Sequence, residues 1–119
     1  MRGFLNIDKP TGITSFDVVR QIRRAAHMKR VGHAGTLDPL ATGVLPVAVG
    51  DATRLVDELV GARKRYRAEI LLGRETDTYD VEGRVTEERD ASRVTEAAVG
   101  TALDRFTGEI MQTPPALDR

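Results

Sequence analysis

The feature that most constrains the fold of this sequence is the uninterrupted apolar run from Val44 to Val49. A short continuous run with β-branched residues predicts a buried strand. Pro46 lies within this run and has no backbone N–H to donate, so the sequence also predicts that the strand is irregular or lies at a sheet edge. Any fold proposed for the chain must provide a sheet around this segment.

Helical spacing and capping residues predict three helices. Thr14 followed by Asp17 is close to a capping box, and the apolar positions after it recur at helical spacing over about 12 residues. Asp51 is the predicted cap of a second helix over residues 52–60, in which Val56 and two leucines face inward. Thr95 is the predicted cap of a third helix that ends near Phe106.

Alternating or continuous apolar runs predict five strands, over residues 4–7, 44–49, 66–72, 84–88 and 109–112. Helices and strands therefore mix along the chain, which predicts an α/β (α+β) fold with a mixed β-sheet and flanking helices. No linker-like stretch divides the 119 residues, so one domain is expected.

Composition excludes several classes of protein. The sequence has no cysteine, which removes disulfide scaffolds, thiolate metal sites and cysteine nucleophiles and makes a cytoplasmic location the default. No apolar run approaches the roughly 20 residues that span a bilayer, so no membrane contact is predicted. His27 and His33 are not spaced to share one helical face, and no metal site is expected.

The net charge of zero hides an uneven distribution of charge. Residues 1–74 contain 13 Lys and Arg against 7 Asp and Glu, whereas residues 75–119 contain 5 against 11. The basic residues concentrate in two clusters, over residues 20–30 and 63–67. Each cluster alone is compatible with a solvated surface, but two of them around one glycine-rich loop favour a nucleic-acid backbone as partner.

The glycine-rich loop over residues 32–43 contains a single carboxylate, Asp38. Gly32 and Gly35 allow close approach of a ligand or a positive φ. A lone carboxylate in a rigid, electropositive loop is suited to act as a nucleophile or general base. The structural alternative is that Asp38 only opens a type I turn before Pro39.

Other interpretations of the nearby residues carry less weight. Residues 32–35 match the G-x-x-G loop by which KH domains clamp RNA, but four residues are a weak signal. Ser15 lacks the glycine-flanked elbow of a hydrolase nucleophile, so a capping or turn role is predicted for it.

Four segments together resemble the TruB-type tRNA pseudouridine synthases. The most specific is the run of twelve residues Gly-His-Ala-Gly-Thr-Leu-Asp-Pro-Leu-Ala-Thr-Gly over 32–43, which resembles the catalytic motif of that family. The other three are residues 5–12 with Lys9-Pro10, residues 64–67 around Tyr66, and residues 72–83. The resemblance covers residues 3–115 and implies a pseudouridine-synthase-like catalytic domain.

The resemblance implies an activity, which is isomerisation of one T-loop uridine of tRNA to pseudouridine after base flipping, without cofactor or metal. It implies that Asp38 is the catalytic carboxylate, that Tyr66 packs on the flipped base, and that His33 belongs to the RNA-contacting loop. The predicted substrate-binding set is completed by Arg30, Lys64 and Arg65. The residues predicted to be structural near the site are Lys9, Pro10, Gly32, Gly35, Thr36, Leu37 and Pro39.

The resemblance ends after Pro114-Pro115, because residues 116–119 do not match the family. The family's later arginine, which pairs with the catalytic aspartate, has no counterpart, and Arg54 and Arg65 are the candidates to replace it. Residues 1–119 are therefore expected to be a partial catalytic domain without the C-terminal RNA-binding domain. No oligomer is implied. Two other functions remain open: a catalytically silent RNA-binding or RNA-folding module, and an unrelated α/β scaffold for an anionic partner.

Overall fold

A computed structural model describes residues 1–116, which form two compact units. The first unit is Met1–Arg65, and the second begins at Tyr66. Each unit combines helices with antiparallel strands, so the predicted α+β class is confirmed. The strands form two separate antiparallel sheets in place of one mixed sheet. The predicted mismatch to the family at residues 117–119 lies outside the described residues.

The first unit is built on a three-stranded sheet whose strands are β1 (Gly3–Lys9), β2 (Val31–His33) and β3 (Gly43–Val49). The order is β1-β3-β2, so the apolar run forms the central strand. Leu45, Val47 and Ala48 on β3 are fully buried, which confirms the predicted buried strand.

Pro46 lies in the central strand, so the prediction that it marks a sheet edge is wrong. Its carbonyl oxygen accepts a hydrogen bond from the Ala34 N–H at 2.8 Å, just beyond the end of β2. The nitrogen and carbonyl of one strand residue point to the same side. The proline nitrogen therefore faces a position where β2 has already ended, and no ladder hydrogen bond is lost.

Helix α1 (Ser15–Ala26) begins at the predicted Thr14 cap and has the predicted length. The Thr14 hydroxyl accepts from the Asp17 N–H at 3.0 Å, and Asp17 accepts from the Thr14 N–H at 2.9 Å, which completes the capping box. The Thr14 N–H, followed by the Arg20 guanidinium, lowers the pKa of Asp17 to about 2. Val18 and Val19 on the inner face pack against Val31, Leu45 and Val47 to form the core.

The segment after β3 differs from the helix predicted over residues 52–60. A 3₁₀ helix covers Gly50–Leu55 and continues into α2 (Val56–Val60). Asp51 does not cap it, since no side chain caps this 3₁₀ helix and the Asp51 carboxylate instead pairs with Arg30 at 2.9 Å. The predicted inward orientation of the leucines is also wrong, because Leu55 is 48% exposed and Leu59 is 37% exposed.

The second unit contains a two-stranded sheet and a helix. Strand β4 (Arg74–Thr76) pairs with β5 (Val85–Glu88), and α3 (Glu96–Leu103) is followed by a 3₁₀ turn over Asp104–Phe106. The predicted Thr95 cap is confirmed, because its hydroxyl accepts from the Ala98 N–H at 3.1 Å.

Two predicted strands, over residues 66–72 and 109–112, are wrong. Residues 66–71 and 109–112 have no regular secondary structure, and Ile70, at 75% exposed, is as open to solvent as a loop residue. A strand is stable only when a neighbouring strand accepts its backbone hydrogen bonds. In the part of the chain that the structure describes, neither segment pairs with a strand.

Candidate active site

Residues 9–15, from the end of β1 to the start of α1, hold the loop that carries Asp38. All five carbonyl oxygens of residues 37–41 accept hydrogen bonds. Five different groups donate these bonds, and four of them belong to residues 9–15. They are the Lys9 ammonium, the Thr11 hydroxyl, the Gly12 N–H and the Ser15 hydroxyl. Two motifs that are about 30 residues apart in sequence therefore form one hydrogen-bonded structure, which we call the Asp38 cradle.

Lys9 is the buried centre of the Asp38 cradle. Its side chain has no exposed surface at the end of β1. The ammonium donates to the carbonyls of Pro10 at 2.8 Å, Pro39 at 3.2 Å and Ala41 at 2.7 Å. These three bonds use all three ammonium hydrogens and fix the chain on the C-terminal side of Asp38. The structural role predicted for Lys9, Pro10 and Pro39 agrees with this arrangement.

Ser15 fixes the chain on the N-terminal side of Asp38. Its hydroxyl accepts from the Leu37 N–H at 2.9 Å and donates to the Leu37 carbonyl at 3.2 Å, and the residue is 2% exposed. The predicted capping role is wrong, since Thr14 is the cap. Sequence analysis missed this positioning role because both bonds join residues 22 positions apart. The one available signal was a small hydroxyl residue on the buried face of an amphipathic helix.

Asp38 has a fixed backbone and a free side chain. Its carbonyl accepts from the Ala41 N–H at 2.9 Å, so Asp38 does open a β-turn through Pro39. The carboxylate, however, is exposed and has no hydrogen-bond or salt-bridge partner within the first unit. An aspartate used only for a turn commonly accepts a backbone N–H two residues on. The turn therefore uses the backbone of Asp38 and leaves its carboxylate available for a ligand.

His33 and Lys64 lie beside the Asp38 cradle on the side of Gly35. The Nδ1 of His33 is 3.0 Å from the Gly35 carbonyl, so the tautomer protonated at Nδ1 donates there and leaves Nε2 unbound. Gly35 has a φ of +94°, and a methyl group added there would lie 3.5 Å from Lys64 Cε. The Lys64 ammonium donates to the Val60 carbonyl at 2.5 Å. The structure thus brings these two predicted substrate-binding residues to the loop.

The remaining predicted site residues have other positions. Arg30 lies at the opposite end of the β2–β3 pair, where it binds Asp51 and the Thr53 hydroxyl. Gly32 lies within β2 without a positive φ, so its backbone does not require glycine. Leu37 packs on the core and Thr36 is exposed.

The arginines proposed as partners of Asp38 do not form that pair. Arg54 and Arg65 are exposed, and neither makes a salt bridge to Asp38 within the first unit. Tyr66 is the first residue of the second unit and is 67% exposed, with no hydrogen bond from its hydroxyl in that unit. The aromatic face of Tyr66 is therefore accessible.

Ser15→Ala is expected to lower the free energy of unfolding by about 1–2 kcal/mol, because it removes both bonds to Leu37 at a buried position. Amide hydrogen exchange at Leu37 should accelerate, which locates the effect at the loop. The matched control is Ser92→Ala, since the Ser92 side chain is exposed. Equal protection of Leu37 in the parent and Ser15→Ala chains would contradict the positioning role.

Comparison with known proteins identifies the family of this chain. Residues 23–117 match the family model described as TruB family pseudouridylate synthase (N terminal domain). The chain belongs to the TruB family. The predicted resemblance is confirmed, and the Asp38 cradle is formed by residues within and just before the matched region of this TruB family chain.

Named relatives of this TruB family chain are tRNA pseudouridine synthases B. The protein from Clostridium tetani is 52% identical over 115 residues, which cover 97% of this chain and 40% of the relative. That from Moorella thermoacetica is 55% identical over 113 residues, covering 95% of this chain and 37% of the relative. The chain thus spans about two fifths of the length of the curated relatives it matches.

A solved structure also aligns with part of this TruB family chain. It is a chain of "Structure of H/ACA RNP bound to a substrate RNA containing 2'-deoxyuridine", 50% identical, with a TM-score of 0.46. The alignment covers 47% of this chain and 18% of that one. Across residues 1–116, no helix is long and apolar enough to cross a membrane. Within the same residues, no group of three or more His, Asp or Glu side chains is placed to hold a metal ion.

Proposed function

We propose that this TruB family chain isomerises a uridine in the T loop of tRNA to pseudouridine, with Asp38 as the catalytic residue. The observation that carries the proposal is the free carboxylate of Asp38 within residues 37–41, whose five backbone carbonyls are all hydrogen-bonded. A reactive group on a fixed backbone is the arrangement that catalysis by positioning requires. The names of the relatives support tRNA as substrate.

The proposed reaction moves one bond and one proton. The C1′–N1 glycosidic bond breaks, the uracil rotates, and a C1′–C5 bond forms. The proton on C5 leaves, and N1 gains a proton, so that atoms balance. Asp38 takes part in one of two ways. As a nucleophile it bonds to C1′ while the glycosidic bond breaks, and C5 then displaces it from C1′. As a base it removes a sugar proton and returns it after the C1′–C5 bond has formed. Either route requires the ionised carboxylate.

Two side chains of the first unit beside the Asp38 cradle are suited to hold RNA during this reaction. Lys64, beside Gly35, supplies a positive charge for a phosphate, and His33 offers an unbound Nε2. The proposal assigns the exposed ring of Tyr66 to the flipped base, because stacking on one base is worth about 1–3 kcal/mol and offsets the cost of flipping. Arg30 and Arg65 are proposed to contact more distant phosphates.

The experiment that tests the substrate uses a tRNA transcript and matched transcripts with one uridine replaced by cytidine. The full chain is incubated with each transcript, and pseudouridine is mapped by chemical modification and primer extension. Pseudouridine is expected at one T-loop uridine and should disappear when that uridine is replaced. Replacement of an anticodon-loop uridine is the control and should leave the product unchanged.

Two other outcomes would contradict this proposal. Pseudouridine confined to positions outside the T loop would overturn the substrate assignment and leave the reaction type intact. Tight RNA binding without any pseudouridine would favour the alternative of a catalytically silent RNA-binding module.

A further inference from the structure

The exposed side of α1 forms a groove that the Asp38 chemistry does not use. Its lining is strongly basic and consists of Arg20, Arg23, Arg24, His27, Met28 and Lys29. No acidic residue lies between Asp17 and Asp38. We call this surface the α1 basic groove.

Two arginines of the α1 basic groove have partners within the first unit. Arg20 is paired with Asp17, and Arg23 donates to the Val31 carbonyl at 3.2 Å. Both guanidinium groups also lie over the ring of Phe16, with the central carbons 5.4 and 5.6 Å from its centroid. These contacts fix one wall of the groove and leave little freedom to its two arginines.

Three side chains of the α1 basic groove have no such partner: Arg24, His27 and Lys29. None has a side-chain hydrogen bond, ion pair or ring contact within the first unit. His27 ends α1 in the left-handed conformation, with a φ of 52°. This turn redirects the chain, so that Lys29, two residues beyond the cap, lines the same groove as the last helical turn.

A purely structural role explains only part of this arrangement. Cations in the last turn of a helix stabilise it through the helix dipole, and this effect accounts for Arg23 and Arg24. The effect falls off outside the last turn, so it does not account for Lys29. A groove lined by no acidic residue, with the unpaired basic side chains Arg24 and Lys29, carries a positive potential suited to an anionic ligand.

The position of the groove relative to Asp38 suggests which part of a ligand it contacts. Ser15 at the start of α1 bonds Leu37, the residue before Asp38. Arg24 lies nine residues farther along the same helix, which is about 13 Å at the helical rise. A ligand that reaches both places must be extended, and one that is anionic along its length matches the groove.

We propose that the α1 basic groove binds the phosphodiester backbone of the RNA substrate, several nucleotides from the uridine held at Asp38. The inference rests on the proposed function and adds a second contact area to it. Arg24 and Lys29 supply the charge, while Arg20 and Arg23, held by their own partners, shape the wall. Because the groove lies away from the reacting base, it contributes to affinity and not to the chemical step.

The test compares RNA binding by the full chain and the double variant Arg24→Ala/Lys29→Ala. The probe is a T-arm stem-loop RNA in a filter-binding titration at several salt concentrations. The Kd of the double variant is expected to rise by about 10-fold at low salt, and the slope of log Kd against log salt to fall by about 2. The matched control is Arg93→Ala/Arg105→Ala, which removes the same charge from exposed positions of the second unit.

The possible outcomes separate this inference from the proposed function. Parent-like affinity and salt slope in Arg24→Ala/Lys29→Ala would overturn the proposal that the α1 basic groove binds RNA. An equal loss of affinity in the control variant, or a parent chain that does not bind RNA, would also overturn it. Normal RNA binding without pseudouridine formation would instead overturn only the proposed function. A circular-dichroism melt of each variant identifies any loss that comes from unfolding.

Discussion

Asp38→Asn is expected to reduce pseudouridine formation by at least about 1,000-fold, the scale of a lost general base or nucleophile. Asparagine has nearly the same shape and serves a turn as well as aspartate, so the Asp38 cradle should persist. The variant lacks the negative charge that both routes of the proposed reaction require. The measurement is tritium release from a T-arm RNA labelled at C5 of uridine, at saturating RNA concentration.

Asp57→Asn is the matched control for this experiment, because it makes the same chemical change at an exposed carboxylate without a side-chain partner in the first unit. Its rate should equal that of the parent chain. RNA affinity, measured in parallel, should change little in either variant. Parent-like tritium release by Asp38→Asn would remove Asp38 from the mechanism. Weaker binding with a normal rate at saturation would assign it to substrate positioning.

The predicted elements that match the structure are those whose signals are local. The cap at Thr14 depends on Asp17 three residues later, and the burial of residues 44–49 depends on their own continuous apolar character. Both can be recognised within one short window of sequence. The turn at Asp38 is local in the same sense, because Pro39 occupies its second position and the proline ring presets φ there.

The predictions that fail depend on a partner elsewhere in the chain. Residues 66–72 have the alternation of a strand, but alternation describes a preference for two faces and does not provide a hydrogen-bonding neighbour. The short strand β2 (Val31–His33) was missed because its sequence lacks a strand pattern, although a neighbouring strand is present. Its sequence is typical of the start of a glycine-rich loop, yet it pairs with β3 as an antiparallel strand.

For the candidate site, the sequence pointed to Asp38 as the proposed catalytic residue but not to all of the residues that hold its loop. A single acid within a basic, glycine-rich loop is visible in the sequence, and so is the Lys9-Pro10 motif. The hydroxyls of Thr11 and Ser15 bond residues 29 and 22 positions away, and no short-range pattern predicts such pairs. Arg30 is close to the motif in sequence but lies at the far end of the sheet, a distance that sequence proximity does not indicate.

Lys9→Met is expected to destabilise the first unit and to disable the site together. Methionine fills a similar volume but cannot donate, so the carbonyls of Pro10, Pro39 and Ala41 lose their shared partner. We expect the free energy of unfolding to fall by about 2–3 kcal/mol, measured by urea denaturation. Tritium release should fall by about 100-fold, because a small displacement of a catalytic group has effects of that size.

Lys29→Met is the matched control for stability, because it makes the same substitution at an exposed lysine. Its free energy of unfolding should stay within about 0.5 kcal/mol of the parent value. Amide exchange separates the two effects of Lys9→Met: under conditions where the variant is still folded, the Ala41 and Gly12 amides of the Asp38 cradle should exchange faster, while Val19 in the core remains protected. Unchanged exchange at Ala41 and Gly12, with a normal rate of tritium release, would show that the loop keeps its position without the ammonium. In that case the neighbouring bonds from Thr11 and Ser15 would be sufficient to hold Asp38 in place.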